Sequence, residues 1–374
     1  MELFFYMKLS ENNKNRISSL DGLRGIVILA VVIYHYFNNL ISANSSTFNL
    51  IFKSLTKYFY TGVDMFFVLS GFLLGGILLK NKTSPHFFKT FYIRRICRIF
   101  PLYFLVIILV YLICSIGIGK GTTWWFSDKI PTWVYFTFLQ NIFMGIKDLL
   151  GNSWLIPTWS LGVEEQFYLI ISFLIYFSPK KTLVAILIIG IVLSPIFRYN
   201  ATTEYGISSF LYCRLDSLFG GIVVAMLNQN EHFLIFFKKY LNYFYALTLI
   251  LFGITILFSL GKWHMPLYIV NSWFSVIYML LLLLVLNDNK NIFSKLTNFS
   301  FFVNLGIHSF SIYLLHQIIL GLCFFGILNK LPQINSTQDF FSVLICAITT
   351  YFVAKFVYIN FEKKFMDYGH RYKY

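Results

Sequence analysis

The stretch SLDGLRGIVILAVVIYHYF (Ser19–Phe37) is a hydrophobic run of membrane-helix length that carries Asp21, Arg24 and His35. At ~1.5 Å and ~100° per residue, Arg24 and His35 fall on nearly the same helix face, roughly 16 Å apart along the axis. A titratable side chain that deep in a membrane helix is unfavourable unless it is paired or lines a wet cavity, so it is read as a functional-site candidate. The other reading is a histidine packed between helices with both ring nitrogens satisfied.

Composition sets the surroundings of this segment. Of 374 residues, 58% are hydrophobic and 12% charged, and the mean hydropathy is +0.70. These values lie far outside the range of soluble domains and describe an integral membrane protein. The 44 Phe and 25 Tyr suit a lipid-solvated bundle with bulky rings at its interfaces. The formal charge of +15 invites a nucleic-acid reading. The basic residues, however, punctuate the hydrophobic segments as orientation signals do, and nucleic acid is excluded as a partner. The five cysteines, Cys97, Cys114, Cys213, Cys323 and Cys346, are scattered through apolar runs without CxxC or Cys/His spacing. Neither a disulfide framework, a metal site nor a permanently bound cofactor is expected. The first apolar run carries charges and has no small-x-small cleavage pattern, so it is expected to be retained rather than removed as a signal.

Apolar stretches of spanning length fall near 22–41, 59–79, 99–118, 161–178, 182–197, 208–228, 241–260, 266–286, 303–327 and 340–360. The fold class that follows is an all-α polytopic membrane protein of about ten transmembrane helices, filling the chain as one domain (1–374, core about 20–361) with no appended soluble domain. Residues 133–146 are apolar but short, bounded by Pro131, Gly145 and Gly151, and read as a re-entrant or interfacial helix. Charge asymmetry supports that count. With both termini cytoplasmic, most basic residues collect inside, among them Lys8, Lys14, Arg16, Lys80, Lys82, Lys89, Arg94, Arg95, Arg98, Lys290 and Lys363, while Arg198 is assigned to an outer loop. A spanning 133–146 would invert the later loops and spoil the bias. Trp124, Trp125, Trp133, Trp154, Trp159 and Trp263 then fall on the outer side, with Trp273 in the outer half of its helix. An interface belt explains them, and so do platforms that stack against sugar rings.

Several polar residues converge at one depth on this topology. His35 lies at or slightly beyond mid-membrane; Asp64 sits in GVDMFFVLSGFLLG, Glu164 and Glu165 in TWSLGVEEQFYL, Arg214 and Asp216 in YCRLDSLFGG, and His316 in SFSIYLLHQ. Isolated buried charges are unfavourable, so these groups pair or line a cavity. Arg214 with Asp216 or Asp64 reads as a register-fixing ion pair or as part of a site. Asp21 reads as a helix N-terminal cap, and His316 as a core histidine or a site residue. A carboxylate beside a histidine fixes the imidazole tautomer and leaves the other nitrogen to take a proton from a hydroxyl. A second cluster lies on the cytoplasmic side in FYIRRICRIFPLY (Phe91–Tyr103). There Arg95 and Arg98 stand one helical turn apart, with Arg94 beside them. Orientation or lipid headgroups account for basic residues at this level, whereas arginines on one turn also present planar forks to a phosphate.

Taken together, LDGLRG with its downstream histidine, FFVLSGFLL, the RRxxR turn, SLGVEEQFYL, CRLDSLFGG and YLLHQ resemble, in order, the acyltransferase-3 family of membrane-bound O-acyltransferases. The similarity runs from about Leu20 to Phe361. It implies a protein of the bacterial inner membrane that moves an acyl group, most often acetyl, from cytoplasmic acyl-CoA to a hydroxyl of an extracytoplasmic or lipid-linked glycan. By motif position the resemblance makes His35 the first-helix histidine and Arg24 the arginine before it. Arg95 and Arg98 are the cytoplasmic pair and Glu164 the helix-start glutamate, with Glu165 beside it. Some members carry a C-terminal SGNH hydrolase-like domain, which is not expected here, and Gly162 replaces another small residue common in the motif. The expectation is that His35 acts as base, oriented by Glu164, with Glu165 counted as a further catalytic residue. Arg24, Arg94, Arg95 and Arg98 then hold the donor, and Asp64, Arg214, Asp216, His316 and Trp159 support the site or bind substrate. Acyl-CoA, the glycan and membrane lipids are the expected partners, and direct transfer and an acyl-histidine intermediate stay open. The competing class is a transporter or flippase of a glycan or small anionic solute, in which the same charges relay protons or bind substrate. No internal repeat of the kind transporters show is present, and a scaffold role leaves the His/Glu/Arg convergence unexplained.

Overall fold

The computed structural model of the chain describes residues 18–42, 47–116, 130–261, 265–288, 291–328 and 330–374. Trp124, Trp125, Trp263, Lys8, Lys14, Arg16 and Lys290 lie outside the described residues. Within them the protein is helical without a strand, apart from an isolated bridge between Ile41 and Ile334. The principal helices are α1 (Ser18–Ile33), α2 (Gly62–Lys80), α3 (Phe87–Ser115), α4 (Trp159–Phe177) and α5 (Lys180–Tyr199). They continue as α6 (Leu215–Leu227), α7 (Leu241–Leu260), α8 (Leu267–Asn287), α9 (Ser309–Leu328) and α10 (Thr337–Val357). Eight segments among the described residues are long and apolar enough to cross a membrane, or ten if each of two bent pairs counts as one span. The bent pairs are Leu211–Leu227 with Glu231–Lys239, at 95°, and Ser300–Ile307 with Ser309–Phe325, at 74°. The protein is an all-α integral membrane protein, and its ten segments coincide with the apolar runs of the sequence.

Glycines set the tightest helix crossings, because in lipid small residues let backbones approach where no hydrophobic drive separates helix from solvent. A Cβ on Gly25 would lie 1.8 Å from the Phe302 carbonyl oxygen, and one on Gly306 1.7 Å from that of Asp21. This contact seats Ser300–Ile307 against the first turns of α1. On the other side, a Cβ on Gly71 would come within 2.0 Å of the Leu218 carbonyl and one on Gly221 within 2.1 Å of that of Val68. The α2–α6 crossing so made carries Asp64 to Arg214.

The 133–146 region forms two short helices, Thr132–Phe136 and Gln140–Lys147, each too short to cross. They meet at Phe138, whose φ of 56° is unusual for an aromatic residue. Its ring stacks on Tyr103 at 4.4 Å between centroids. Gln140 Nε2 donates to the Thr158 carbonyl at 2.7 Å, and the amides of Asn141 and Gln166 bond to each other at 3.1 and 2.8 Å. Gly162 is what lets this hairpin dock, since a Cβ there would sit 2.6 Å from Asn141 Oδ1.

Two assignments made from sequence change. Trp154 is buried at 1% exposure, so it belongs to the core rather than to an interface belt, whereas Trp133 is 54% exposed. Arg198 is not a loop residue. It ends α5 with its side chain fully buried, because a partner on α6, invisible in a linear reading, compensates its charge.

Candidate active site

A partly open cleft lies between α1, α2, α3, α4 and α9. Its polar lining is Arg24 from α1, Ser70 from α2, Arg95 and Arg98 from α3, Ser160, Glu164 and Tyr168 from α4, and Ser309 and Tyr313 from α9; Val63, Phe66, Leu69 and Leu161 supply apolar wall. Helical periodicity explains the convergence. Ser160, Glu164 and Tyr168 recur at four-residue spacing and form one stripe of α4, while Arg95 and Arg98 are one turn apart on α3. At ~1.5 Å per residue, the 29 residues of α3 span roughly 44 Å, longer than a ~30 Å hydrocarbon core, so its first turns carry the arginines toward the interface.

Inside the cleft the Tyr168 hydroxyl donates to Glu164 Oε2, and the Ser70 hydroxyl lies 2.9 Å from the Tyr168 oxygen. The Arg95 guanidinium sits over the Tyr168 ring, 5.4 Å from its centroid. Arg24 Nη1 pairs with Asp21 Oδ1 at 3.1 Å, so Asp21 acts as an ion-pair partner within the first turn. Among the described residues neither Arg95 nor Arg98 has a carboxylate within ion-pair distance. Three guanidinium groups therefore share one cleft with Glu164, and planar forks gathered in one cleft suit a phosphate. Arg94 does not join them. Its Nε and Nη2 donate to the Tyr372 carbonyl at 2.9 and 2.6 Å, and its guanidinium stacks on Tyr374 at 5.3 Å. One residue of rotation about α3 turns it from the cleft to the C-terminal segment.

His35 departs from expectation in both backbone and partner. The residues Tyr34–Asn38 form a π turn continuing α1, in which the Asn39 N–H reaches the Tyr34 carbonyl at 3.0 Å. Such turns recur at functional sites. Glu164 does not bond to His35. The partner is His316, whose Nε2 lies 3.2 Å from His35 Nδ1, with ring centroids 5.0 Å apart. Glu164 shares the cleft with the arginines instead. His316 is fully buried, and its Nδ1 lies 2.7 Å from the Tyr313 carbonyl. Tyr36, next in chain to His35, donates from its hydroxyl to the His316 carbonyl at 2.7 Å and meets Thr350 Oγ1 at 2.7 Å. The two histidines are not cleft-lining residues; Tyr313, which is, has its ring centroid 6.0 Å from that of His316. The cleft thus ends one side-chain layer from the histidine pair.

The remaining candidates separate into two groups. Glu165 points away from the cleft, and its Oε1 is buried without a hydrogen-bond partner among the described residues. Asp64 pairs with Arg214 at 2.9 Å and accepts from Asn271 Nδ2 at 2.9 Å. Asp216 pairs with Arg198, not Arg214, at 2.7 Å, and accepts from Ser272 at 2.7 Å. Arg214 also lies over Trp159, 5.4 Å from the ring centroid. These pairs tie α2, α5, α6 and α8 together behind the cleft. Sequence reasoning missed Tyr168, Ser70, Tyr313 and Arg198. The four-residue spacing from Glu164 was a signal for Tyr168, whereas the other three are defined only by contacts between helices.

Comparison with known proteins bears directly on this arrangement. A family described as an acyltransferase domain matches residues 17–358. The chain belongs to that acyltransferase family. It is 32% identical over 190 residues to the peptidoglycan O-acetyltransferase of Listeria monocytogenes, covering 48% of this chain and 28% of that protein. It is 31% identical over 170 residues to a predicted O-acetyltransferase of Staphylococcus aureus, covering 41% and 24%. An uncharacterised protein of Haemophilus influenzae is 35% identical over 125 residues, 32% of this chain and 50% of that one. The matches thus span between a quarter and a half of these relatives' lengths. No solved structure matches the chain.

Proposed function

We propose that this protein is a membrane O-acyltransferase of the bacterial cytoplasmic membrane, moving an acetyl group from acyl-CoA on the cytoplasmic side to a glycan hydroxyl on the other. The observation that carries the reading is the cleft in which Arg24, Arg95 and Arg98 converge and which ends one side-chain layer from the His35–His316 pair. The family membership and the name of the Listeria relative point the same way. A phosphorylated donor suits the arginine end, because guanidinium forks match phosphate geometry. The apolar middle, around Val63, Phe66 and Leu161, suits a pantetheine arm and excludes water from a thioester that would otherwise hydrolyse.

The thioester is already activated, so transfer requires a base for the acceptor and a proton for the leaving group. In this reading His35 Nε2 takes the acceptor hydroxyl proton while the oxygen attacks the thioester carbonyl. The C–S bond breaks as the tetrahedral intermediate collapses, and the proton returns from His35 to the coenzyme A thiolate. Arg24, Arg95 and Arg98 act in donor binding. Glu164 fixes Tyr168 and through it the ring on which Arg95 rests, which is a donor-side role in place of the imidazole-orienting one. Glu165, off the cleft, takes no part in the transfer.

The test is transfer of label from radiolabelled acetyl-CoA to the base-labile acetate of the envelope glycan, in membranes from cells expressing the protein. His35→Ala abolishes transfer while protein level in the membrane stays near normal. Transfer at the wild-type rate by that variant overturns the reading.

A further inference from the structure

The two histidines carry more information than their proximity. A carbonyl oxygen only accepts, so the 2.7 Å contact from His316 Nδ1 to the Tyr313 carbonyl places a proton on Nδ1. A neutral imidazole has one N–H, which leaves His316 Nε2 as an acceptor. The atom facing it at 3.2 Å is His35 Nδ1, which must therefore be the donor. With its proton on Nδ1, His35 keeps its lone pair on Nε2. Free histidine prefers the opposite tautomer, with the proton on Nε2, so a partner that accepts at Nδ1 is needed to hold this one.

We infer that His316 is a positioning residue that holds His35 in the Nδ1–H tautomer and so presents the Nε2 lone pair to the acceptor hydroxyl. Everything around His316 resists its moving. It is fully buried on α9, its carbonyl is held by Tyr36 from the π turn, and Tyr36 is braced by Thr350 of α10. Three segments distant in sequence thus hold the His316 backbone, and the Tyr313 carbonyl holds its ring. The π turn lets His35 and Tyr36, adjacent in the chain, contact the ring and the carbonyl of the same residue. When His35 Nε2 takes the proton, the resulting imidazolium still donates from Nδ1 to His316, so the contact persists and strengthens as charge develops. His316 itself exchanges no proton with substrate. A neutral histidine here does the orienting that a carboxylate does in Ser-His-Asp triads, with less charge stabilisation.

The inference rests on His35 being the base, and the experiment keeps the two claims apart. Nitrogen NMR of the full-length protein in nanodiscs, with ring-labelled histidine and His35 assigned by its loss in His35→Gln, reads the tautomer directly. The expected wild-type spectrum shows His35 protonated at Nδ1. A wild-type His35 protonated at Nε2 overturns the inference whatever the variants do. In His316→Leu, which removes the acceptor, His35 moves toward the Nε2–H form. The maximal rate of acetyl transfer from radiolabelled acetyl-CoA then falls roughly 100-fold, while the apparent KM for acetyl-CoA changes by less than about twofold. His316→Gln places an amide oxygen near the former Nε2 and restores most of the rate, to within about tenfold of wild type. Should His35→Ala stay active, the base assignment fails. Should His35→Ala be inactive while His316→Leu keeps its rate, the base stands and the positioning role falls. A rise in KM equal to the fall in rate in His316→Leu, with the tautomer unmoved, also overturns it.

Discussion

Arg98→Ala tests the donor site with least disturbance to the fold. Arg98 lines the cleft with Arg24 and Arg95, and among the described residues neither it nor Arg95 has a carboxylate within ion-pair distance. Arg24 is already partnered by Asp21, and Glu164 by Tyr168. Removing the Arg98 charge therefore breaks no direct ion pair among the described residues. A hydrogen bond to a charged group contributes about 1.5–3 kcal/mol. At 1.4 kcal/mol per decade, its loss raises the apparent KM for acetyl-CoA about 10- to 100-fold. The maximal rate stays close to wild type, because the contact is made equally in ground and transition states. Arg98→Lys recovers only part of this, since an ammonium does not reproduce the fork. The assay is acetyl transfer in membranes at varied acetyl-CoA, paired with thermal unfolding of the purified protein with and without coenzyme A. Relief of like-charge crowding makes the apo variant at least as heat-stable as wild type, and its stabilisation by coenzyme A is lost. A fall in maximal rate at unchanged KM, with stabilisation by coenzyme A retained, refutes the assignment of this cleft to the donor.

The carboxylates separate by the face of α4 on which they lie. Glu164→Gln weakens the tie to Tyr168 and raises the KM for acetyl-CoA, whereas Glu165→Gln leaves KM and rate within about twofold, as steady-state kinetics on both variants will show. Asp216→Asn leaves the Arg198 guanidinium buried without its counter-charge and destabilises the protein by about 3 kcal/mol; pairing Arg198→Met with Asp216→Leu recovers most of that loss in the same unfolding assay. Gly25→Val drives a side chain into the Phe302 carbonyl and lowers the yield of folded protein, measured by size-exclusion profile after extraction, while Gly253→Val, whose Cβ would meet nothing within 4 Å, does not. Cysteine at Lys89 labels with a membrane-impermeant maleimide only in inverted vesicles and cysteine at Ser127 only in right-side-out ones; labelling of both from one side overturns the proposed sidedness.

The sequence by itself determined the membrane class, the ten apolar segments and the non-spanning 133–146 region, because hydropathy and segment length respond to the bilayer and not to partners. It also brought out Arg24, Arg95, Arg98, Glu164, His35 and His316, since ionisable groups inside apolar runs stand out against a strong background rule. Pairing was not legible. That Glu164 turns to Tyr168 and the arginines, that His35 turns to His316, that Asp216 takes Arg198 and leaves Asp64 to Arg214, and that Arg94 is spent on the C-terminal segment follow from which helix faces meet. Those meetings are set by backbone approaches at Gly25, Gly306, Gly71 and Gly221 and by a π turn at His35. Buried charges had to be compensated wherever they lay, but only the tertiary structure decided by which partner, because the choice depends on distances of a few ångströms between segments up to hundreds of residues apart.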